Sequence, residues 1–323
     1  MVSVICVCYN SEMYINEAID SVLEQSFDEY EIIVIDDGSE DSTITKLSKY
    51  RTLNNFTLIE MKHTGNPGFL RNEAVRCSKY ELIAFIDSDD VWFPDKLSKQ
   101  IEFIQNYDMI CTNAERLIQK NIVFDSILSR ISDSIFRKNN TNIAPNVFFE
   151  DLIGNIELTI PKILVMNYVI PSSVLVKKSA FLSSGMFEQS LGKRGEDYLL
   201  WLMILKRYKV ILLKEILIKY RIHEKNLSLQ SYDERIKLLE RTIDIRKEYL
   251  SSDNEEISSS AKIGCKEIYH ELGKLALAKR NFDSSAYYFL RYVHLLPIRP
   301  SIELLKYSLI FVYVKLCSIF ARR

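Results

Sequence analysis

The chain has 323 residues, 47% hydrophobic and 26% charged, and its 42 Lys and Arg against 43 Asp and Glu leave a net charge of −1. That length suits about two domains of ordinary size. The composition excludes a disordered or collagen-like polymer, and the charge balance excludes a protein that holds nucleic acid by bulk positive charge.

The first run, Val2-Ser3-Val4-Ile5-Cys6-Val7-Cys8-Tyr9, is apolar and β-branched without alternation, as a strand covered on both faces should be. With no basic leader region and no cleavage motif, it is expected to be a strand and not a signal peptide. Cys6 and Cys8 share one face of it as small core residues. The six cysteines (Cys6, Cys8, Cys77, Cys111, Cys265, Cys317) form no CxxC pair and no Cys/His cluster, so neither zinc nor a disulfide scaffold is expected, and the compartment is expected to be a reducing cytoplasm.

Asn10-Ser11 offers an N-cap, after which Ile15, Ala18, Ile19, Val22 and Leu23 recur at helical spacing. A second strand, residues 31–35, ends in Asp36-Asp37-Gly38-Ser39. A helix over 41–50 and a strand over 57–61 follow. The turn Gly65-Asn66-Pro67-Gly68 leads into a helix over 69–78, and a strand over 81–86 ends in Asp87-Ser88-Asp89-Asp90. Strand and helix alternating in units of about thirty residues predict an α/β fold, a mostly parallel sheet with helices on both faces.

In such a sheet the ligand crevice lies outside the carboxyl ends of the strands. Those ends carry Asn10, Asp36, Asp37, Asp87, Asp89 and Asp90. There is no GxGxxG after the first strand and no GxxxxGK[ST] to cradle a bare phosphate. Five carboxylates on one rim repel phosphate and one another unless a divalent cation lies between them, and oxygen-rich sites suit Mg²⁺ or Mn²⁺ together with substrate phosphates. The rim therefore predicts a metal-bridged nucleoside diphosphate. Asp36-Asp37-Gly38-Ser39 is equally the composition of a turn and helix cap. Asp87-Ser88-Asp89-Asp90 holds more acids than a cap needs, and a functional role is favoured.

Past Trp92-Phe93-Pro94, a helix over 96–106 and a strand over 108–113 are expected. Residues 116–161 are polar and Asn-rich, and are expected to cover the site or bind a second substrate. A strand over 174–176 and the turn Gly185-Met186-Phe187 precede Glu196 and Asp197, which open a helix that is apolar nearly all round. As a general base Asp197 is pulled two ways: a helix N-terminus lowers its pKa and a dry cleft raises it. Strands over 210–214 and 217–221 lead to Tyr220-Arg221-Ile222-His223, where His223 beside Arg221 is open to metal, phosphate or a structural hydrogen bond. His63, His270 and His294 are given no role.

From residue 233 the pattern is helical, over 233–250, 257–279, 283–295 and 301–320. Leu272-Gly273, Ala286 and Pro297 share features of one tetratricopeptide-type hairpin. Residues 229–323 hold 16 Lys and Arg against 12 Asp and Glu. The apolar segment 304–320 is interrupted by Lys306 and Lys315, so it suits an interfacial, partner-bound or buried helix better than a membrane span.

Taken in order, Val2-Ser3-Val4-Ile5 with Tyr9-Asn10, Asp36-Asp37-Gly38-Ser39, Gly68-Phe69-Leu70-Arg71-Asn72, Asp87-Ser88-Asp89-Asp90-Val91-Trp92-Phe93-Pro94, Gly185-Met186-Phe187-Glu188, Glu196-Asp197 and Tyr220-Arg221-Ile222-His223 resemble the inverting family 2 glycosyltransferases of GT-A fold. The resemblance covers about residues 1–228. Leu70 stands where the family usually has Ala, a packing change. The resemblance implies a GT-A domain over 1–228, with a nucleotide-sugar half (1–107) and an acceptor half (108–228), followed by a helical extension over 229–323.

It further implies donor binding by Tyr9, Asn10, Asp36, Asp37, Arg71, Asp87, Ser88 and Arg221. Tyr9 and Asp37 would meet the base and ribose. Asp89, Asp87 and His223 would hold Mn²⁺ or Mg²⁺, and Asp197, with Glu196 beside it, would take the proton from the acceptor hydroxyl. The activity implied is transfer of a hexose or N-acetylhexosamine from a UDP-sugar to a glycan or lipid-linked acceptor with inversion, in envelope polysaccharide or lipopolysaccharide assembly. Peripheral contact with the inner face of the membrane is expected through the C-terminal helices, and no nucleic acid partner. Two rivals are a nucleotidyltransferase acting on sugar phosphates, which should show a Gly-rich loop and a basic residue near residues 7–12, and a non-catalytic GT-A-like scaffold, which the presence of Asp89 and Asp197 disfavours. A dinucleotide oxidoreductase lacks its glycines.

Overall fold

The computed structural model describes residues 1–118, 147–149, 152–192, 195–223 and 232–295. Its first four strands, β1 (Val2–Cys8), β2 (Tyr30–Asp36), β3 (Phe56–Glu60) and β4 (Leu82–Asp87), pair in parallel in the order β3-β2-β1-β4. The crossovers are α1 (Ile15–Leu23), α2 (Thr43–Leu47) with a 3-10 turn over Ser48–Thr52, and α3 (Pro67–Cys77). Val2, Val4, Cys6 and Cys8 join Ile15, Ala18, Ile19 and Val22 in one core, while Ser3 and Ile5 between them are equally buried. A strand covered on both sides has no polar face to show, hence the absence of alternation. Ser3 is tolerated because its hydroxyl donates to Glu31 Oε1 at 2.7 Å. Asn66 caps α3 by accepting from the Phe69 amide at 3.0 Å, with Pro67 opening the helix.

Beyond β4 lie β5 (Val91–Trp92), α4 (Lys96–Ile101), β6 (Met109–Ile118), β7 (Ile156–Leu158), α5 (Ile160–Val165), β8 (Leu175–Lys177), α6 (Lys178–Ser183), α7 (Glu196–Leu205) and β9 (Val210–Ile222). The sheet continues β4-β8-β6-β9-β5, with β7 also on β9. Strand β8 is antiparallel to β4 and β6, β5 and β7 are antiparallel to β9, and β6 and β9 form a long parallel ladder.

The two strands expected over 210–214 and 217–221 are one. The polar pair Lys214-Glu215 interrupts the apolar run, but the ladder passes over both residues by shifting register at Asn113. The helix expected over 96–106 ends at Ile101, and β6 runs on to Ile118. Buried Lys96 is satisfied by Gln100 Oε1 at 2.8 Å and lies 3.8 Å from the Trp92 ring; burial pushes its pKa well down.

The described residues divide into two compact units, 1–118, 147–149, 152–160, 168–192 and 195–223 in the first, and 161–167 and 232–295 in the second. In the second, α8 (Tyr232–Lys247), α9 (Glu255–Ala278) and α10 (Phe282–His294) follow the expected helical pattern. Ile243, Cys265, Leu272, Ala276, Tyr288 and Tyr292 form its core. Gly273 is required where α10 crosses, since a Cβ there would lie 2.8 Å from the Phe289 ring. His270, given no role from sequence, packs on Tyr292, and burial pushes its pKa down to about 4.

Among the described residues no helix is long and apolar enough to cross a membrane, and the five cysteines are free thiols. The helix expected over 301–320, Cys317, and most of the polar stretch expected to cover the site lie outside the described residues.

Candidate active site

The rim at the carboxyl ends of β1–β4 is built in three pieces. At the end of β2, Asp36 is buried and spends its carboxylate on the next turn: it accepts the Ser39 amide at 2.8 Å and the Ser39 hydroxyl. Gly38 closes that turn at φ +72°. Asn10, itself at φ 48°, accepts the Glu40 amide at 2.8 Å and donates its own amide to Ser39 Oγ at 2.9 Å. Asn10 and Asp36, expected to bind the donor, thus hold the loops after β1 and β2 together.

Asp37 is also buried and organises the loop after β3. Its Oδ1 accepts from the Thr64 amide and hydroxyl at 2.7 and 2.9 Å, and its Oδ2 accepts from the Gly65 amide at 2.9 Å. His63 Nδ1 lies 3.1 Å from the same Oδ2. The His63 ring stacks on Tyr9 with centroids 4.1 Å apart, and Tyr9 is 42% exposed. Sequence reasoning missed His63. The signal available was topological, for it follows β3, which runs parallel to β2 and ends on the same rim.

The second piece is α3. Arg71 donates to Asp87 Oδ1 at 2.7 Å, approaches Glu196 Oε1 at 3.6 Å, and lies 5.5 Å from the Phe187 ring. Burial opposes its charge, yet Asp87 and Glu196 hold it protonated, with its pKa raised. The next residue, Asn72, grips the Phe187 backbone in both directions, donating to its carbonyl at 2.8 Å and accepting its amide at 3.0 Å. A Cβ on Gly68 would meet Glu196 Cγ and Phe187 Cβ at 3.1 Å each, so a small residue lets α3 approach α7.

The third piece is the acid loop after β4. Ser88 Oγ lies 2.8 Å from Ser11 Oγ. Asp89 Oδ2 is hydrogen-bonded to His223 Nε2 at 2.8 Å, and the Asp89 carbonyl accepts from Arg221 Nε at 2.8 Å. Arg221 also donates to Glu17 Oε2 and lies 4.8 Å from the Tyr14 ring, against which His223 packs at 4.7 Å. Arg221, expected near the diphosphate, also braces the loop. Asp87 and Asp89 keep 28% and 24% of their side chains exposed, whereas Asp90 turns inward. Burial first, then the neighbouring Asp89 and Asp87, push the Asp90 pKa well up.

Helix α7 starts after Gly195 at φ 80°. Glu196 is buried, and its Oε2 has no hydrogen-bond partner among the described residues. Burial and the adjacent Asp197 push its pKa up to about 7, against the pull of Arg71. Asp197 accepts its neighbour's amide, Tyr198, at 2.7 Å. Burial nevertheless raises its pKa, outweighing that amide and Arg71.

The structure thus joins Arg71, Asp87 and Glu196 into one network and Asp89, His223 and Arg221 into another, with the acid loop connecting them. Asp87, expected as a further metal ligand, also accepts from Arg71. Among the described residues no group of three or more His, Cys, Asp and Glu is assembled as a metal site.

The family model described as glycosyl transferase family 2 matches residues 3–152. The O-antigen biosynthesis glycosyltransferase WbnJ of Escherichia coli is 31% identical over 231 residues, 70% of this chain and 81% of WbnJ. The chain belongs to glycosyl transferase family 2. An uncharacterized glycosyltransferase of Rickettsia typhi is 30% identical over 228 residues, 69% of this chain. The chain spans only 64% of that relative's length. Among solved structures, residues 1–349 of Staphylococcus aureus TarS in complex with UDP-GlcNAc match with a TM-score of 0.62 at 21% identity, over 92% of this chain and 81% of that one. At that identity the likeness is one of fold, and it agrees with the mixed sheet of GT-A type. Within this family 2 chain the model match holds Tyr9, Asp37, Arg71, Asp87 and Asp89, while Glu196, Asp197, Arg221 and His223 lie beyond it.

Proposed function

We propose that this family 2 chain transfers a sugar from a nucleoside-diphosphate donor to a hydroxyl group of a glycan or lipid-linked acceptor, with inversion and with help from a divalent cation. The observation that carries the reading is the division of labour in the acid loop, where Asp87 is matched by Arg71 and Asp89 by His223 while both acids stay partly exposed on the rim. Asp89 and His223 place an oxygen and a nitrogen donor side by side, and once the hydrogen bond between them opens they would hold a divalent ion that also takes oxygen ligands from the donor. Asp89 and His223 would hold Mn²⁺ or Mg²⁺, with Asp87 beside them. Such an ion, when bound, neutralises charge that grows on the departing nucleoside diphosphate.

The chain's own residues supply the rest. Tyr9, stacked on His63, presents an aromatic platform for the base, and the loop that Asp37 builds borders it. Arg71 fixes the Asp87 carboxylate beside the donor ribose. Asp197, desolvated and therefore more basic than an exposed aspartate, accepts the proton from the attacking hydroxyl, and the nearby charge of Asp87 adds to its basicity. Attack in a single displacement opposite the leaving group inverts the anomeric centre, and no enzyme nucleophile is needed.

A UDP-sugar donor, carrying a hexose or N-acetylhexosamine, is supported by the UDP-GlcNAc in the TarS complex, and an envelope polysaccharide acceptor by the O-antigen role in the WbnJ name. The GT-A part is assigned to residues 1–228. The basic helical part, 229–323, is assigned peripheral contact with the inner face of the membrane. A panel of nucleotide sugars incubated with Mn²⁺ tests the reading: release of UDP and a product of inverted anomeric configuration by NMR is expected. Release of pyrophosphate from a nucleoside triphosphate and a sugar phosphate would instead identify a nucleotidyltransferase.

A further inference from the structure

Asp90 is the acid of the loop that does not face the rim; it is 1% exposed. Its two oxygens do separate jobs. Oδ2 accepts the hydroxyl of Ser172, and Ser172 Oγ in turn accepts the Asp87 amide at 3.0 Å. Oδ1 accepts the backbone amide of Arg221 at 3.0 Å. Arg221 returns a bond through Nε to the Asp89 carbonyl at 2.8 Å. Ser172 lies in the 3-10 turn Pro171–Ser173, and its carbonyl accepts the indole N–H of Trp92 at 3.0 Å.

One buried carboxylate therefore cross-links the end of β4 to the end of β9. The adjoining residues on these two pieces are Asp89 and His223, whose side chains meet at 2.8 Å. The β5–β9 ladder cannot set that distance alone, since it comprises only two residue pairs, Val91 with Lys219 and Trp92 with Ile218. The geometry points to Asp90, with Ser172 behind it, as a positioning residue that holds Asp89 and His223 in the register a divalent cation requires; this rests on the metal-assisted reading above. Asp90 itself touches neither donor nor cation. A carboxylate is needed because two donors, a hydroxyl and an amide, converge on it from separate segments. Asparagine keeps one acceptor and turns a second donor toward Ser172.

The test is isothermal titration of the full chain with UDP, with and without MnCl₂, and the ratio of the two affinities is the metal coupling. Asp90→Ala is expected to reduce that coupling by about tenfold or more, as loss of a residue supporting a metal ligand does, while metal-free UDP binding is unchanged. Ser172→Ala should lose less, and Asp90→Asn should fall between wild type and Asp90→Ala. Should Asp90→Ala fail to fold, Ser172→Ala and Asp90→Asn carry the same measurement. A purely structural strut would lower the melting temperature yet leave the coupling of the folded protein intact, and that outcome overturns the inference. Wild-type protein without any Mn²⁺ coupling would overturn the site reading and the inference together, whereas coupling retained in every variant overturns the inference alone.

Discussion

Two acidic stretches, Asp36-Asp37 after β2 and Asp87-Ser88-Asp89-Asp90 after β4, occupy equivalent places at the ends of the two parallel strands that flank β1, and they are put to opposite uses. Asp36 and Asp37 are both buried and accept protein donors: the Ser39 amide for one, the Thr64 and Gly65 amides for the other. After β4 Asp90 is buried and accepts protein donors in the same way, while Asp87 and Asp89 stay partly exposed, Asp87 bonded to Arg71 and Asp89 to His223. The difference lies in the donors near each carboxylate and not in the number of acids. A turn rich in backbone amides absorbs its aspartates; a loop tied down by an inward aspartate keeps the neighbouring acids partly exposed on the rim.

The sharpest way to break this comparison is to exchange the losses. Asp89→Ala should abolish Mn²⁺-dependent UDP binding at any practical concentration while the melting temperature barely moves. Asp36→Ala should do the reverse, leaving metal coupling intact and costing about 1–2 kcal/mol of stability through the lost turn cap. Calorimetric titration and denaturant melts on both variants measure the two effects. Next in size, Asp197→Asn should bind donor normally and lose about 10²–10⁴-fold in turnover. Single-turnover assays on the true acceptor check it, and near-normal turnover would remove Asp197 from the base role.

Glu196 sharpens the comparison through pH. Its folded pKa is about 7 against an ordinary value of 4.5, so between those values the folded chain binds a proton that the unfolded chain releases. Stability should therefore fall as pH rises across that window, by linkage. Turnover should rise over the same range as the Glu196–Asp197 pair loses its proton. Thermal melts from pH 5 to 8 should show the slope in wild type and a flatter line in Glu196→Gln. The smallest effect is expected at the aromatic platform: His63→Ala should weaken UDP binding by a few-fold, in keeping with about 0.5–1.5 kcal/mol for a stacked pair, with no change in metal coupling.

Much of the parallel half was legible because its strands are long, apolar and separated by periodic helices. The elements over 91–92, 156–158, 160–165 and 178–183 were not, since two to six residues cannot display a period. At 214–215 a polar pair read as a strand break because a register shift leaves no mark on hydrophobic pattern. In the site, Asp87, Asp89, Glu196, Asp197 and His223 stood out as candidates from their side-chain chemistry, and Arg71 entered through the family resemblance. The contacts of Asn72, Ser172 and inward-turned Asp90 could not be read from sequence: each acts on the backbone of a residue some 80 to 130 positions away, Phe187, Asp87 and Arg221 in turn. His63 was hidden by the habit of reading a lone histidine as structural.

The central claim is that Asp89 and His223 receive a cation together with the donor diphosphate. Anomalous diffraction from crystals soaked with UDP and MnCl₂ tests it most directly. A manganese peak in contact with Asp89 Oδ2 and His223 Nε2, bridging to the diphosphate, is the result expected. Bound UDP with no peak there, or a peak at Asp36 and Asp37, would contradict it.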